Sequence, residues 1–198
     1  MSIYGIGNSG YPVASRYKYE RTQRGAGAEA YGKYAETLQR SDRADGSFVL
    51  HYFDHEEGER AVGASCGRDY SISAYIPKDF DPENPVYKVK VWDKDDKVTE
   101  RMVDVSKVDP ENSDYIDMFA YSSYLECSGK CSGAQSAFMG SAGDPRGMSD
   151  MQYDDLFDRT NWMDRLGAMM QMQYDVGNLT GYLEYKKFWD FIENGHHL

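Results

Sequence analysis

The run Asn84-Pro85-Val86-Tyr87-Lys88-Val89-Lys90-Val91-Trp92-Asp93-Lys94-Asp95-Asp96-Lys97-Val98-Thr99-Glu100-Arg101-Met102-Val103-Asp104-Val105 decides the fold class. Tyr87, Val89 and Val91 alternate with Lys88, Lys90 and Trp92. Successive strand residues point to opposite faces, so this is a strand with one apolar face, and the lysine side reads as its wet face. Asp and Lys crowd positions 93–97. Aspartate bonds readily to its own backbone there, and the strand pattern stops. The return strand carries Val103 and Val105 on one face and Val98 and Met102 on the other. Asp109-Pro110-Glu111 then reads as a helix start. Asp109 suits the N-cap, Pro110 the first helical position and Glu111 the positive end of the helix dipole. Tyr115, Ile116, Phe119 and Ser123 share one helical face, with Met118, Ser122 and Leu125 adjoining it.

On the N-terminal side the β pattern extends back to Asp45-Gly46. Strands are expected over Phe48–Phe53, Arg60–Ser65 and Tyr70–Ile76, with Gly67-Arg68-Asp69 as a hairpin turn. Asp81-Pro82-Glu83-Asn84 nearly copies Asp109-Pro110-Glu111-Asn112, but Pro85 bars a helix, so the first copy is a single turn. Short strands with short turns favour an antiparallel meander. On the C-terminal side, thirteen of the 23 residues from Ser128 to Asp150 are Ser, Gly or Ala, which reads as a flexible linker. Beyond it, Ser149 and Gln152 resemble a capping box. Asn161 caps a helix bearing Trp162, Leu166, Met169, Met170 and Gln173. Gly177 ends it, and Asn178 caps a last helix whose stripe is Leu179, Tyr182, Tyr185, Trp189 and Ile192, widened by Phe188. The predicted class is α+β: an antiparallel β-meander with a packed helix, followed by a C-terminal αα-hairpin. The expected organisation is a tail at 1–46, sheet plus helix at 47–127, a linker at 128–150 and the hairpin at 151–195.

The chain has 198 residues and a net charge of −11. Residues 1–46 hold seven basic and five acidic residues, so the remainder carries −13. An acidic body repels phosphate backbones, and no nucleic-acid partner is expected. Residues 1–46 contain only Ile3, Ile6, Val13 and Leu38 as aliphatic branched residues. Such a segment buries too little apolar surface to offset its ordering entropy. A short helix is drawn only over Ala28–Arg40. No apolar run approaches the roughly 20 residues of a membrane span. The N-terminus lacks the pattern of a secretory signal, and three cysteines make no disulfide framework. The cytoplasm is the expected location, with export lacking a cleaved signal as the alternative.

Several motifs match by letter and fail by context. Gly5-Ile6-Gly7-Asn8-Ser9-Gly10 fits G-x-G-x-x-G, but Tyr11-Pro12 follows where the phosphate-binding helix should start. Gly63-Ala64-Ser65-Cys66-Gly67 fits the nucleophile elbow, but a strand pattern follows it, and His196 and His197 are the only later histidines. Asp93-Lys94-Asp95 opens like a calcium loop, yet Val98 stands where the loop needs Gly. His51, His55, Cys66, Cys127 and Cys131 have the chemistry for zinc, but Cys127-x-x-x-Cys131 is looser than the usual pair. No metal or cofactor is expected. The stronger bias is in methionine: seven of ten lie between 139 and 172. Methionine suits adaptable binding faces as well as cores.

The Tyr4-Gly5 to Tyr11-Pro12 opening, the run Asp79–Asp93, Thr99–Asp104 and Gly181–Phe188 together resemble a family of uncharacterised proteins of about this length from clostridial and related Firmicute genomes. The resemblance implies a bacterial source and a domain of unknown function, and it brings no catalytic residue. The function expected from the residues is that of a non-enzymatic interaction or accessory protein. Its protein-binding face, for a partner or for self-association, would be Trp162, Met163, Met169, Met170, Tyr182, Tyr185 and Trp189. The alternatives are a hydrolase or metal-dependent enzyme using Ser65 or a His51/His55/Cys66 cluster, and a substrate or accessory of a signal-less export system.

Overall fold

The computed structural model describes residues 50–143 and 151–195. Expectations for residues 1–46, for Ser149 and for His196 and His197 fall outside them. Four antiparallel strands, β1 (Arg60–Cys66), β2 (Ser71–Ile76), β3 (Val86–Trp92) and β4 (Val98–Asp104), lie side by side in sequence order. Among the described residues four α-helices follow: α1 (Tyr115–Cys127), α2 (Ala134–Ala142), α3 (Trp162–Asp175) and α4 (Leu179–Glu193). This is the α+β class read from the sequence, meander first and helices after.

Register explains which side chains meet. Ile72 pairs with Val91 and Val91 with Thr99; Ala74 pairs with Val89 and Val89 with Arg101. Paired residues share a face, so this face is the apolar one. α1 covers it with Ile116, Phe119 and Leu125, all essentially fully buried. Each such side chain contributes roughly 1.5–3 kcal/mol. Aromatic rings bind the helices to one another: Tyr115 lies 4.9 Å from Phe138 and 5.9 Å from Trp162, and those two are 4.9 Å apart.

Four expectations are corrected. First, α1 starts at Tyr115 with Asp114 as its cap, the carboxylate accepting from the Asp117 amide at 2.9 Å. Asp109 closes only a single turn, accepting from the Glu111 amide at 3.0 Å. The chain after it is held by α3's approach, with the Thr160 amide donating to the Ser113 carbonyl and the Trp162 amide to the Pro110 carbonyl. Both Asp-Pro-Glu-Asn copies are therefore turns. Second, the expected linker at 128–150 contains α2. Ala134, Ala137, Phe138, Ser141 and Ala142 are buried. Small side chains here allow close helix packing, and composition does not distinguish that from flexibility. Third, residues 50–53 are not a strand; they begin a strap that crosses the sheet instead of pairing with it. Fourth, the lysine face is not wet: Lys88 and Lys90 are only 8% and 7% exposed beneath that strap.

The helical hairpin forms as its caps dictate. Asn161 accepts from the Asp164 amide at 3.2 Å and Asn178 from the Gly181 amide at 3.1 Å. Gly177 turns the corner at φ +74°, a left-handed conformation that costs glycine little.

Candidate functional site

The residues of the hydrolase and metal readings do not converge. Ser65 lies in the row Ser65–Ile72–Val91, on the helix-covered face. Its hydroxyl partner is Tyr115, whose burial, with Tyr70 beside it, holds the phenol well above 10. A phenol held protonated in this way is not a base for Ser65. Cys66 lies one residue on, in the row Cys66–Ser71–Trp92, on the opposite face. His51 stacks on Trp92 at 4.3 Å, so the sheet itself stands between Ser65 and His51. Trp92 is two strands from Cys66, roughly 9–10 Å away, whereas ligation needs about 2.3 Å or less. Burial also pushes the Cys66 and Cys131 thiols up, making both weaker ligands and nucleophiles. Cys127 accepts from Arg60 Nη2 at 3.3 Å, at the other end of β1, a strand roughly 20 Å long. Among the described residues no three His, Cys, Asp or Glu side chains are grouped to hold a metal ion.

Packing accounts for the glycines of the elbow-like motif. A β-carbon on Gly63 would run into Gln135 and Ser123, which bond to each other at 3.0 Å across α1 and α2. One on Gly67 would run into the ring of Tyr70. The two glycines let a helix layer and an aromatic ring lie against the strand.

The predicted partner face is redistributed. Trp162 and Met169, 1% and 7% exposed, belong to the interior. Met163, Tyr185 and Trp189 are partly buried against the core. Tyr185 lies on α2, its hydroxyl where a Gly140 side chain would be. Met170 and Tyr182 are half-buried, and the Tyr182 ring lies 6.0 Å from that of Tyr174. Open apolar surface is found instead at the corner of the hairpin. Tyr174, Val176, Leu179 and Leu183 are 65%, 69%, 62% and 54% exposed. Leu179 and Leu183 are four apart and share a helical face. The contacts tying α4 to the loop before α2 and to α2 itself, at Lys187 with the Ser132 carbonyl and at Tyr185 with Gly140, lie farther along. The first turn of α4 therefore extends beyond the body, and Leu179 leaves the core-facing stripe expected for it. Sequence held one signal of this: apolar residues flank Gly177-Asn178, where a solvated corner would be polar.

The second constellation, unforeseen in the sequence, lies under the strap. Lys88 Nζ donates to Glu56 at 3.0 Å and Glu59 at 2.9 Å, with Glu100 at 3.7 Å. Lys90 Nζ donates to the Asp54 carbonyl at 3.1 Å and lies 3.6 Å from Glu100. Burial alone would lower the Lys88 ammonium, but the bonds from Glu59 and Glu56 outweigh it and hold its pKa above 10.5. Burial alone would raise the Glu59 carboxyl, but Lys88, the Glu56 backbone and the charge on Lys90 outweigh it and hold it below 4.5.

No protein-family model, no curated protein and no solved structure matches the chain. No helix among the described residues is long and apolar enough to cross a membrane.

Proposed function

We propose that the protein is a non-enzymatic interaction or accessory module of the bacterial cytoplasm that docks a protein partner on the corner of its C-terminal helical hairpin. The observation that carries this reading is the exposed quartet Tyr174, Val176, Leu179 and Leu183. Contiguous exposed apolar residues on one projecting end mark contact surfaces, whereas scattered ones do not. Aromatic and aliphatic anchors ringed by polar groups are what partner cores use. The exposed Asp175 and Asn178 adjoin the quartet in sequence. The Firmicute resemblance enters here as a proposal about origin, and the gene's neighbours test it.

The functional test places a photo-crosslinking residue at Leu183 in the full chain, in extract of the source organism. One discrete protein adduct is expected, lost when Val176 and Leu179 are changed to Asp. A smear, or an adduct unaffected by those changes, refutes the reading. An adduct of twice the chain's mass makes the partner a second copy.

A further inference from the structure

Residues 50–59 are held on the sheet as a peptide ligand is held. They form no helix or strand. The Tyr75 hydroxyl donates to the His51 carbonyl at 2.6 Å, the Ser73 hydroxyl donates to the same oxygen at 3.3 Å, and Lys90 donates to the Asp54 carbonyl. Those three bonds read main chain and accept any residue type. Other contacts read side chains, the His51–Asp96 approach at 3.9 Å and the His55 ring 6.1 Å from that of Tyr75 among them. The His51 ring stacks on Trp92 with planes 7° apart. Lys88 bridges the carboxylates of Glu56 and Glu59.

The composition of this sheet face is unlike that of a face needing only a cover. The opposite face is mainly apolar, with Ser65, Thr99 and Arg101 among its polar members. Here two ammonium groups, two serine hydroxyls, a phenol and an indole are buried, and a buried ammonium is costly unless paired. Beside these groups the face carries Ala64, Cys66, Val98 and Met102 and two carboxylates, Glu100 at its β4 rim, 50% exposed, and Asp96 at the β3–β4 turn, 3.9 Å from His51. The strap's outer side is open, with Leu50 and Phe53 54% and 55% exposed and residues 54–58 exposed as well. It is one chain thick, and Gly58, at φ +93°, lies just before its junction with β1.

We propose that this face is a binding site for an acidic extended peptide of a partner protein, and that residues 50–59 occupy it in cis as a stand-in. The strap defines the recognition pattern: a planar ring, a carboxylate five residues later and a second carboxylate three beyond that, from His51, Glu56 and Glu59. The bonds from Tyr75, Ser73 and Lys90 to the main chain give affinity whatever the sequence, and the contacts to His51, Glu56 and Glu59 give specificity. The acidic body, −13 outside residues 1–46, discriminates further. An acidic molecule that does not reach both ammonium groups meets only repulsion, screened beyond about 8 Å. This surface is separate from the hairpin corner and does not depend on the reading given to it.

The test uses the full chain and a fluorescent synthetic peptide with the sequence of residues 50–59. The double variant E56Q/E59Q weakens the strap in cis and leaves the sheet face intact. Fluorescence anisotropy is expected to show the peptide binding the variant at least tenfold more tightly than the unsubstituted chain. Peptide made with Gln at the same two positions should bind about tenfold more weakly. Hydrogen exchange over 51–59 should accelerate in the variant while β2 and β3 stay protected. Equal binding to both proteins, indifference to the peptide's carboxylates, or unchanged exchange over 51–59 overturns the proposal. Loss of β2 and β3 protection overturns it too, because the strap would then be part of the fold and not a ligand. A strap-exchanged dimer seen by light scattering overturns the assignment to a partner protein.

Discussion

Replacing Asp114 with Ala removes two interactions at once, and the structure apportions them. One carboxylate oxygen caps α1 through the Asp117 amide at 2.9 Å; losing such a cap costs about 1 kcal/mol. The other oxygen pairs with Arg101 Nη1 at 2.5 Å. The Arg101 side chain is 32% exposed and keeps Asp117 at 3.1 Å. The arginine is thus not stranded, and the cost of this half is about 1–2 kcal/mol, below the roughly 3–5 of a stranded buried charge. The total, about 2–3 kcal/mol, lowers the melting temperature by about 5–10 °C at this chain length. Asp114→Asn retains a good cap and should lose about half as much. Asp109→Ala breaks only a turn bond and should cost about 0.5 kcal/mol. Thermal and guanidinium melts of the three variants, monitored by circular dichroism, give the comparison. A larger loss for Asp109→Ala than for Asp114→Ala would return the helix start to Asp109 and refute the reasoning.

Three other outcomes are expected. Phe138→Ala should cost about 3–5 kcal/mol, read as a denaturant midpoint shift, because Phe138 is fully buried; a residue in a flexible linker would cost almost nothing. Gly63→Ala should destabilise by about 1–3 kcal/mol through overpacking against Gln135 and Ser123, and Gln135→Ala in the same chain should recover part of that loss. The strap should be acid-labile. A depressed Glu59 stabilises fully above 4.5 and loses that contribution as pH falls through its folded value, while a raised Lys88 loses its contribution only above 10.5. Exchange protection over 51–59, corrected for intrinsic rates, should therefore hold from neutral pH down to 4.5 and decline below it. Protection that never declines on acidification would contradict the Lys88–Glu59 link.

The meander was legible because period-2 alternation in β2 and β3 is strong and the turns carry their own chemistry. Gly67 donates to the Tyr70 carbonyl, and Asp93 accepts from the Asp95 and Lys97 amides. The hairpin was legible because Asn161, Gly177 and Asn178 act locally. Two misreadings share a cause: burial supplied from a distance. Lys88 and Lys90 look solvated until residues 29–36 positions upstream fold over them. The Ser/Gly/Ala run looks loose until Phe138 meets Tyr115 and Trp162. Asp114 was passed over because Asp-Pro-Glu at 109–111 makes a stronger local pattern than Ser113-Asp114. The expected partner face lies on α3 and α4, and single-chain periodicity does not say which of their residues the hairpin leaves exposed, as it leaves Leu179 and Leu183.

The strap has a mechanical consequence. Its contacts are met in sequence from the N-terminal side: the His51 stack and carbonyl, then the Asp54 carbonyl, then Glu56, then Glu59. Tension entering the domain through residue 49 loads them one after another, as in unzipping, and not all together, as in shear. Each step breaks only a few contacts, most of them at His51, while the β1–β2 ladder behind Arg60 is still unloaded. Traction on the N-terminal segment would therefore peel the strap at forces far below those that unfold the sheet, making residues 50–59 a low-force release ahead of a stiff body.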